Sequence, residues 1–227
     1  MPSKLKLLHS QMIECRACPR LVAWREEVAR VKVKRFRDWT YWGRPVPGFG
    51  DARARLLIVG LAPAANGGNR TGRMFTGDRS GDFLYAALHR AGLANQAVAA
   101  HRNDGLRLSG VFITAPVRCA PPENKPLPEE LKRCSSWLDR EVALLPGIKV
   151  VLALGSIGWG AALLHFARRG LAVPRPRPRF GHGAEAKIPQ GPTLLGCYHV
   201  SQQNTNTGKL TPVMIDAVLT RARELMR

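Results

Sequence analysis

Apolar residues fall along this chain in two alternating patterns. Four short runs, Leu56-Leu57-Ile58-Val59-Gly60, Val111-Phe112-Ile113-Thr114, Val150-Val151-Leu152-Ala153-Leu154-Gly155 and Thr193-Leu194-Leu195-Gly196-Cys197-Tyr198, are nearly continuous in apolar character. They predict strands buried on both faces, as in a parallel sheet. Between them the apolar positions recur at helical spacing. The first thirty residues place Leu5, Leu8, Met12, Ile13, Leu21, Val22 and Trp24 on that pattern, with a break at Pro19. Ser80 is placed to cap a helix through Leu88, and Pro128 opens another ahead of Glu129 and Glu130, whose charges suit a helix start. Ser156 is placed to cap the helix carrying Trp159, Leu163, Leu164 and Phe166, and Thr211-Pro212 opens a last helix through Leu225. The alternation predicts an α/β fold, a central, mainly parallel four-stranded sheet with helices on both faces. No repeat or boundary divides residues 1–227, so they read as one domain; the Pro-, Arg- and Gly-rich stretch 171–192 reads as an exposed loop.

Composition narrows the class. A chain of 227 residues with 45% apolar content fills one core. The opening Met1–Leu8 segment lacks a long apolar stretch, and no later segment approaches the ~20 apolar residues of a bilayer span. A soluble, cytoplasmic protein is expected. The 35 Lys and Arg against 16 Asp and Glu leave a net charge of +19, which points to a polyanionic partner. The basic residues are spread through Arg30–Arg37, Arg175–Arg179 and many single positions. That spread favours a folded surface tracking a long polymer over a detachable basic tail.

Five cysteines in an intracellular protein are ligands or buried thiols before they are disulfides. Cys15 and Cys18 form one close pair; Cys119 and Cys134 form a wider one that is no zinc knuckle. The spacing leaves an iron–sulfur cluster, zinc and unligated core thiols all open. Cys197, inside an apolar strand, reads as a buried thiol. The remaining chemistry lies in the loops after the first and last predicted strands, which meet at the ligand crevice of a parallel sheet. The first, residues 60–78, has neither the Gly-Lys-Ser/Thr of a phosphate loop nor a dinucleotide fingerprint. Its small residues allow close backbone approach to a planar ligand, with Phe75 as a stacking surface and Asp78 as the acid within reach. The second, residues 199–209, supplies His199 and a row of hydrogen-bonding side chains.

Gly60–Ala65, Gly67–Arg73, Phe75–Gly81 and His199–Thr205 closely resemble motifs of the family 5 uracil-DNA glycosylases, the UDGb type. The resemblance covers nearly the whole chain, since Cys15, Cys18, Cys119 and Cys134 match the ligands of that family's structural 4Fe-4S cluster. It implies a three-layer α/β/α sandwich and a monomer that flips uracil, and other deaminated bases such as hypoxanthine, out of double-stranded DNA and hydrolyses the glycosidic bond. The resemblance assigns His199 to a hydrogen bond on the uracil carbonyl, Phe75 to stacking, and backbone N–H groups at Ala62 and Ala64 to the other edge of the base. Asp78 is implied to activate water and balance positive charge on the sugar, or else only to cap the next helix; Asn124 is a weaker candidate for substrate contact. Asn66 stands where the family usually has His. The 202–209 loop is expected to fill the gap left by the flipped base. Two rivals follow: a metal-cluster DNA-binding or redox-sensing module without hydrolytic activity, and a glycosylase for another lesion, because Ala115 stands where a base-reading Asn is expected.

Overall fold

The structure, a computed structural model, describes residues 3–227; Met1 and Pro2, the start of the opening Met1–Leu8 segment, lie outside the described residues. The N-terminal pattern divides into two helices, α1 (Lys4–Met12) and α2 (Pro19–Val31). Pro19 does not bend one helix but opens the second, where its missing N–H leaves no bond unmade. Cys15 therefore lies in the connecting loop and Cys18 at the N-cap of α2.

The chain continues through β1 (Phe49–Gly50), β2 (Leu56–Val59), α3 (Gly68–Thr71), α4 (Arg79–Arg90), β3 (Val111–Thr114), α5 (Pro128–Val142), β4 (Val150–Leu154) and α6 (Ser156–Arg168). It ends with β5 (Glu185–Lys187), β6 (Thr193–Cys197), α7 (Gln202–Asn206) and α8 (Pro212–Met226). The sheet has six strands in the order β1-β3-β2-β4-β6-β5. The four expected strands form its parallel centre, and β1 and β5 add antiparallel edges. The four-stranded expectation is thus corrected at the edges. Phe49-Gly50 lies in a Gly- and Pro-rich loop, and Glu185-Ala186-Lys187 buries only its alanine. Such segments join a sheet by backbone pairing to an edge, which leaves no apolar run to read.

Alternate strand residues feed two cores. Leu56, Ile58, Val111 and Ile113 pack with Leu84 and Leu88 of α4 and with Ile215 and Leu219 of α8. Leu57, Val59, Phe112 and Val151 pack with Trp159, Leu163 and Phe166 of α6. The result is a three-layer α/β/α sandwich. Cys197 is fully buried in the first core, where burial pushes its thiol up to about 12. Thr211 caps α8 as expected, accepting from the Met214 N–H at 3.4 Å. Ser80 and Ser156 do not cap; Asp78 and Gly155 hold those positions. Among the described residues no helix is long and apolar enough to cross a membrane.

One buried charge joins several elements. Glu141 of α5 is fully buried and accepts from His9 Nε2 (2.8 Å), the Gly48 N–H (3.0 Å), Thr114 Oγ1 (2.6 Å) and Arg118 Nη2 (2.7 Å). Burial alone would raise its carboxyl, but Arg118, His9 and Thr114 outweigh burial and hold it at about 2. These bonds tie α1, the approach to β1, the end of β3 and the segment before Cys119 to one side chain.

Candidate active site

The chain runs from β2 outward to β3, then returns across β2 to β4. The loops leaving β2 and β4 therefore part, which opens a crevice at the carboxyl ends of the strands. A cleft of about 550 Å³ lies there, walled by the loops after β2, β3, β4 and β6. Ala62, Ala64, Phe75, Asp78, Asn124 and His199 all line it. The candidate residues, scattered over more than half the chain, are thus brought to one site.

The loop after β2 is held tight from within. The Ala64 carbonyl accepts from the N–H groups of Gly67 (3.2 Å) and Asn69 (3.0 Å), which starts α3. A Cβ on Gly67 would lie 1.8 Å from Asp78 Oδ2, so only glycine lets the two ends of the loop meet there. Asp78 Oδ1 accepts from the Gly81 N–H at 2.9 Å and caps α4, while the same carboxylate borders the cleft. The cap and the cleft-facing acid are one residue. Burial pushes its carboxyl above the ordinary aspartate value, and the Gly81 N–H pulls only part of the way back. Asn66, at the family's histidine position, does not line the cleft; its Oδ1 accepts from Tyr41 Oη at 2.9 Å.

Phe75 holds a left-handed φ of 50°, which a bulky residue adopts only where its surroundings force it. Its ring centre lies 6.3 Å from that of His199 at 39°, leaving the two rings as adjoining walls of the cleft. Burial pushes His199 down to about 4, so at neutral pH the imidazole is uncharged, with one N–H to donate. Asn204 Nδ2 donates to the His199 carbonyl at 2.8 Å and fixes the chain there. The segment expected as a loop over 202–209 begins as the short helix α7, capped by Ser201, and presents Gln202 and Gln203 at the rim. Ala115 is buried in the α4/α8 core and does not line the cleft, whereas Asn124, an exposed amide, does. Gly155, Ser156 and Ile157 were missed as lining residues. The strand-then-glycine pattern at Leu154-Gly155 marked a third strand end at the same crevice, and applying the crevice rule to it would have found them.

The four paired cysteines also converge. Cys15, Cys18, Cys119 and Cys134 line one cavity, together with Arg118 and Arg133. Among the described residues no three His, Cys, Asp or Glu side chains group as ligands of a single metal ion. Arg25, 2% exposed, donates from Nη1 to Cys119 Sγ at 2.9 Å and from Nη2 to the Cys15 carbonyl at 3.2 Å, spanning both cysteine segments. Among the described residues, Arg25 Nε and Arg118 Nε and Nη1 are buried and meet no hydrogen-bond partner. Buried cations with donors to spare, facing thiols, fit an anionic thiolate-held group in that space.

Residues 47–223 match the family model described as the uracil DNA glycosylase superfamily. The chain is 58% identical over 219 residues to a type-5 uracil-DNA glycosylase of Mycobacterium tuberculosis, covering 96% of this chain and 80% of that protein. It is 56% identical over 211 residues to one of Thermus thermophilus, covering 93% of each. A third, from Pyrobaculum aerophilum, is 45% identical over 214 residues, covering 94% of this chain and 89% of its own.

Proposed function

The chain belongs to the uracil-DNA glycosylase superfamily, and from that premise we propose that its cleft is where uracil is cut from DNA. It is a hydrolase of DNA repair. The observation that carries the reading is the meeting of Asp78, Phe75, His199, Ala62, Ala64 and Asn124 in one cleft. The rival of a binding module without hydrolysis has no support, because the relatives are glycosylases by name and the chain keeps a formed cleft.

We infer the following roles. A uracil turned out of double-stranded DNA stacks on Phe75, with the Ala62–Ala64 backbone at one edge and Asn124 at the wall. Water attacks C1′ of the sugar and gives its proton to Asp78; the C1′–N1 bond breaks and its electron pair leaves on uracil. The carboxylate opposes the positive charge that grows on the sugar. His199, neutral, donates a hydrogen bond to a carbonyl oxygen of the departing anion. α7, with Gln202 and Gln203, enters the gap in the stack, a role supported by the exposure of both side chains at the cleft rim. The same pocket accepts hypoxanthine, and the protein acts as a monomer. Cys15, Cys18, Cys119 and Cys134 hold a 4Fe-4S cluster that cross-links α2, the loop after β3 and α5 as a structural group.

Duplexes carrying a single uracil, hypoxanthine or thymine, treated with the protein and then with alkali, test the activity. Cleavage at uracil and hypoxanthine but not thymine is expected; no cleavage at uracil would overturn the reading. Protein purified without oxygen should be brown and carry iron, whereas zinc in its place would remove the cluster assignment. With about four or five phosphates gripped, the log of affinity should fall with the log of salt at a slope of roughly −4.

A further inference from the structure

Arg70 lies outside the cleft yet joins the parts of the loop that carries Asp78. It is 3% exposed on α3, donating from Nε to the Asn66 carbonyl at 2.8 Å and from Nη2 to the Gly77 carbonyl at 2.7 Å. One planar guanidinium thus closes the loop into a ring whose far end is the residue before Asp78. Gly77 has φ 78°, and a Cβ there would lie 2.4 Å from Arg70 Nη2, so a side chain would push the fork away.

The charge of Arg70 meets no carboxylate within ion-pair distance among the described residues. Its guanidinium carbon sits instead 3.8 Å from the ring centre of Phe36 and 4.1 Å from that of Trp39. Both rings come from the segment that follows α2, where Lys34, Arg35 and Arg37 are exposed. Arg35 packs on Phe36 as well, at 4.9 Å. Farther along, Tyr41 holds the Asn66 side chain, and the N–H groups of Trp42 and Gly43 donate to the carbonyls of Arg70 (2.9 Å) and Asn69 (3.0 Å). A strongly basic exposed strip is therefore laid along the back of the catalytic loop, with aromatic rings between them.

We propose that Arg70 is a positioning residue that couples this strip, as a contact for the DNA backbone, to the placement of Asp78. The inference rests on the cleft being the uracil site. Phosphates docked on Lys34, Arg35 and Arg37 fix Phe36 and Trp39; those rings fix the Arg70 plane; and its fork sets Asn66 and Gly77. Lysine cannot replace it, since a point charge lacks the fork and stacks less well.

The test uses single-turnover excision at saturating protein, together with affinity for a duplex carrying an uncleavable nucleotide. Phe36→Leu/Trp39→Leu and Arg70→Lys should each slow excision about ten-fold or more while affinity changes less than about two-fold. Phe36→Tyr, which keeps the ring face, should retain the rate. Replacing Lys34, Arg35 and Arg37 with Ser should make the salt slope of binding shallower by about 2 to 3. If Arg70→Lys does not fold, the double variant, which alters only partly exposed rings, decides. An unchanged excision rate in the double variant, or an unchanged salt slope in the Ser variant, overturns the proposal. Asp78→Asn in the same assay separates the layers: if it is fully active the cleft reading fails, and if it alone is slow only the coupling fails.

Discussion

Asp78→Asn is expected to cost about 10²- to 10³-fold in single-turnover excision while leaving the fold close to intact. The amide keeps an oxygen that can accept from the Gly81 N–H, so α4 retains its cap, and Asn serves as well as Asp at that position. What it loses is the negative charge beside the reacting sugar and a place for the water's proton. Asp78→Ala removes both functions and should add a stability loss of about 0.5–2 kcal/mol. Comparing the two in excision and in denaturant melts splits the cap from the chemistry; a rate unchanged in Asn would return Asp78 to capping alone. The pH profile carries the sign. The carboxylate must be ionised, and burial sets its titration above the ordinary aspartate value, so activity should fall on acidification at a pH higher than an exposed aspartate would give. In the Asn variant that limb should disappear, leaving only the titration of His199 at about 4.

Glu141→Ala should be the most damaging change away from the cleft, by about 3–5 kcal/mol, because it strands the buried cation of Arg118 and leaves other donors unpaired. For a chain of this length that corresponds to a fall in Tm of about 6–20 °C. Glu141→Gln retains the shape and loses the charge, so it should fall between. The carboxyl is at about 2 in the fold against an ordinary 4.5. Its contribution is therefore complete above about 4.5 and is lost as pH falls from there through about 2. Wild-type protein should lose stability over that window more steeply than Glu141→Gln, measured by denaturant melts at each pH. Equal slopes would show that Glu141 is not held ionised by its neighbours.

The central strands were legible because burial on both faces writes itself as an unbroken apolar run, and the three-layer arrangement followed from the helices between them. The edges were not. Phe49-Gly50 and Glu185–Lys187 pair through backbone atoms, which every residue carries. Helix starts were misplaced by one or two residues at Ser80 and Ser156, since a better acceptor at Asp78 and a glycine at 155 came first. The cleft itself was readable where chemistry and motif coincided, at Phe75, Asp78 and His199. Asn66 was legible as a departure, but its bond to Tyr41 was not, because the partner lies in a loop whose path depends on packing. Glu141 carries no local signal, since a helical glutamate reads as surface until its neighbours are known, and Arg70 was legible only as one member of the Gly67–Arg73 motif, its bonds to Asn66 and Gly77 hidden until the loop closes.

The uncharged state of His199 bears on fidelity. If His199 is the group at the departing base, it has no surplus proton to hand over at neutral pH, and the base must leave on its own anionic stability. Uracil forms a stable anion; adenine and cytosine, whose departure calls for protonation, do not. An adenine or cytosine that strays into the cleft would then meet a site too weak in acid to release it, whereas thymine, whose anion is as stable as that of uracil, must be refused by shape. The burial that disarms this histidine would work as a second filter, after shape, against cutting undamaged adenine and cytosine.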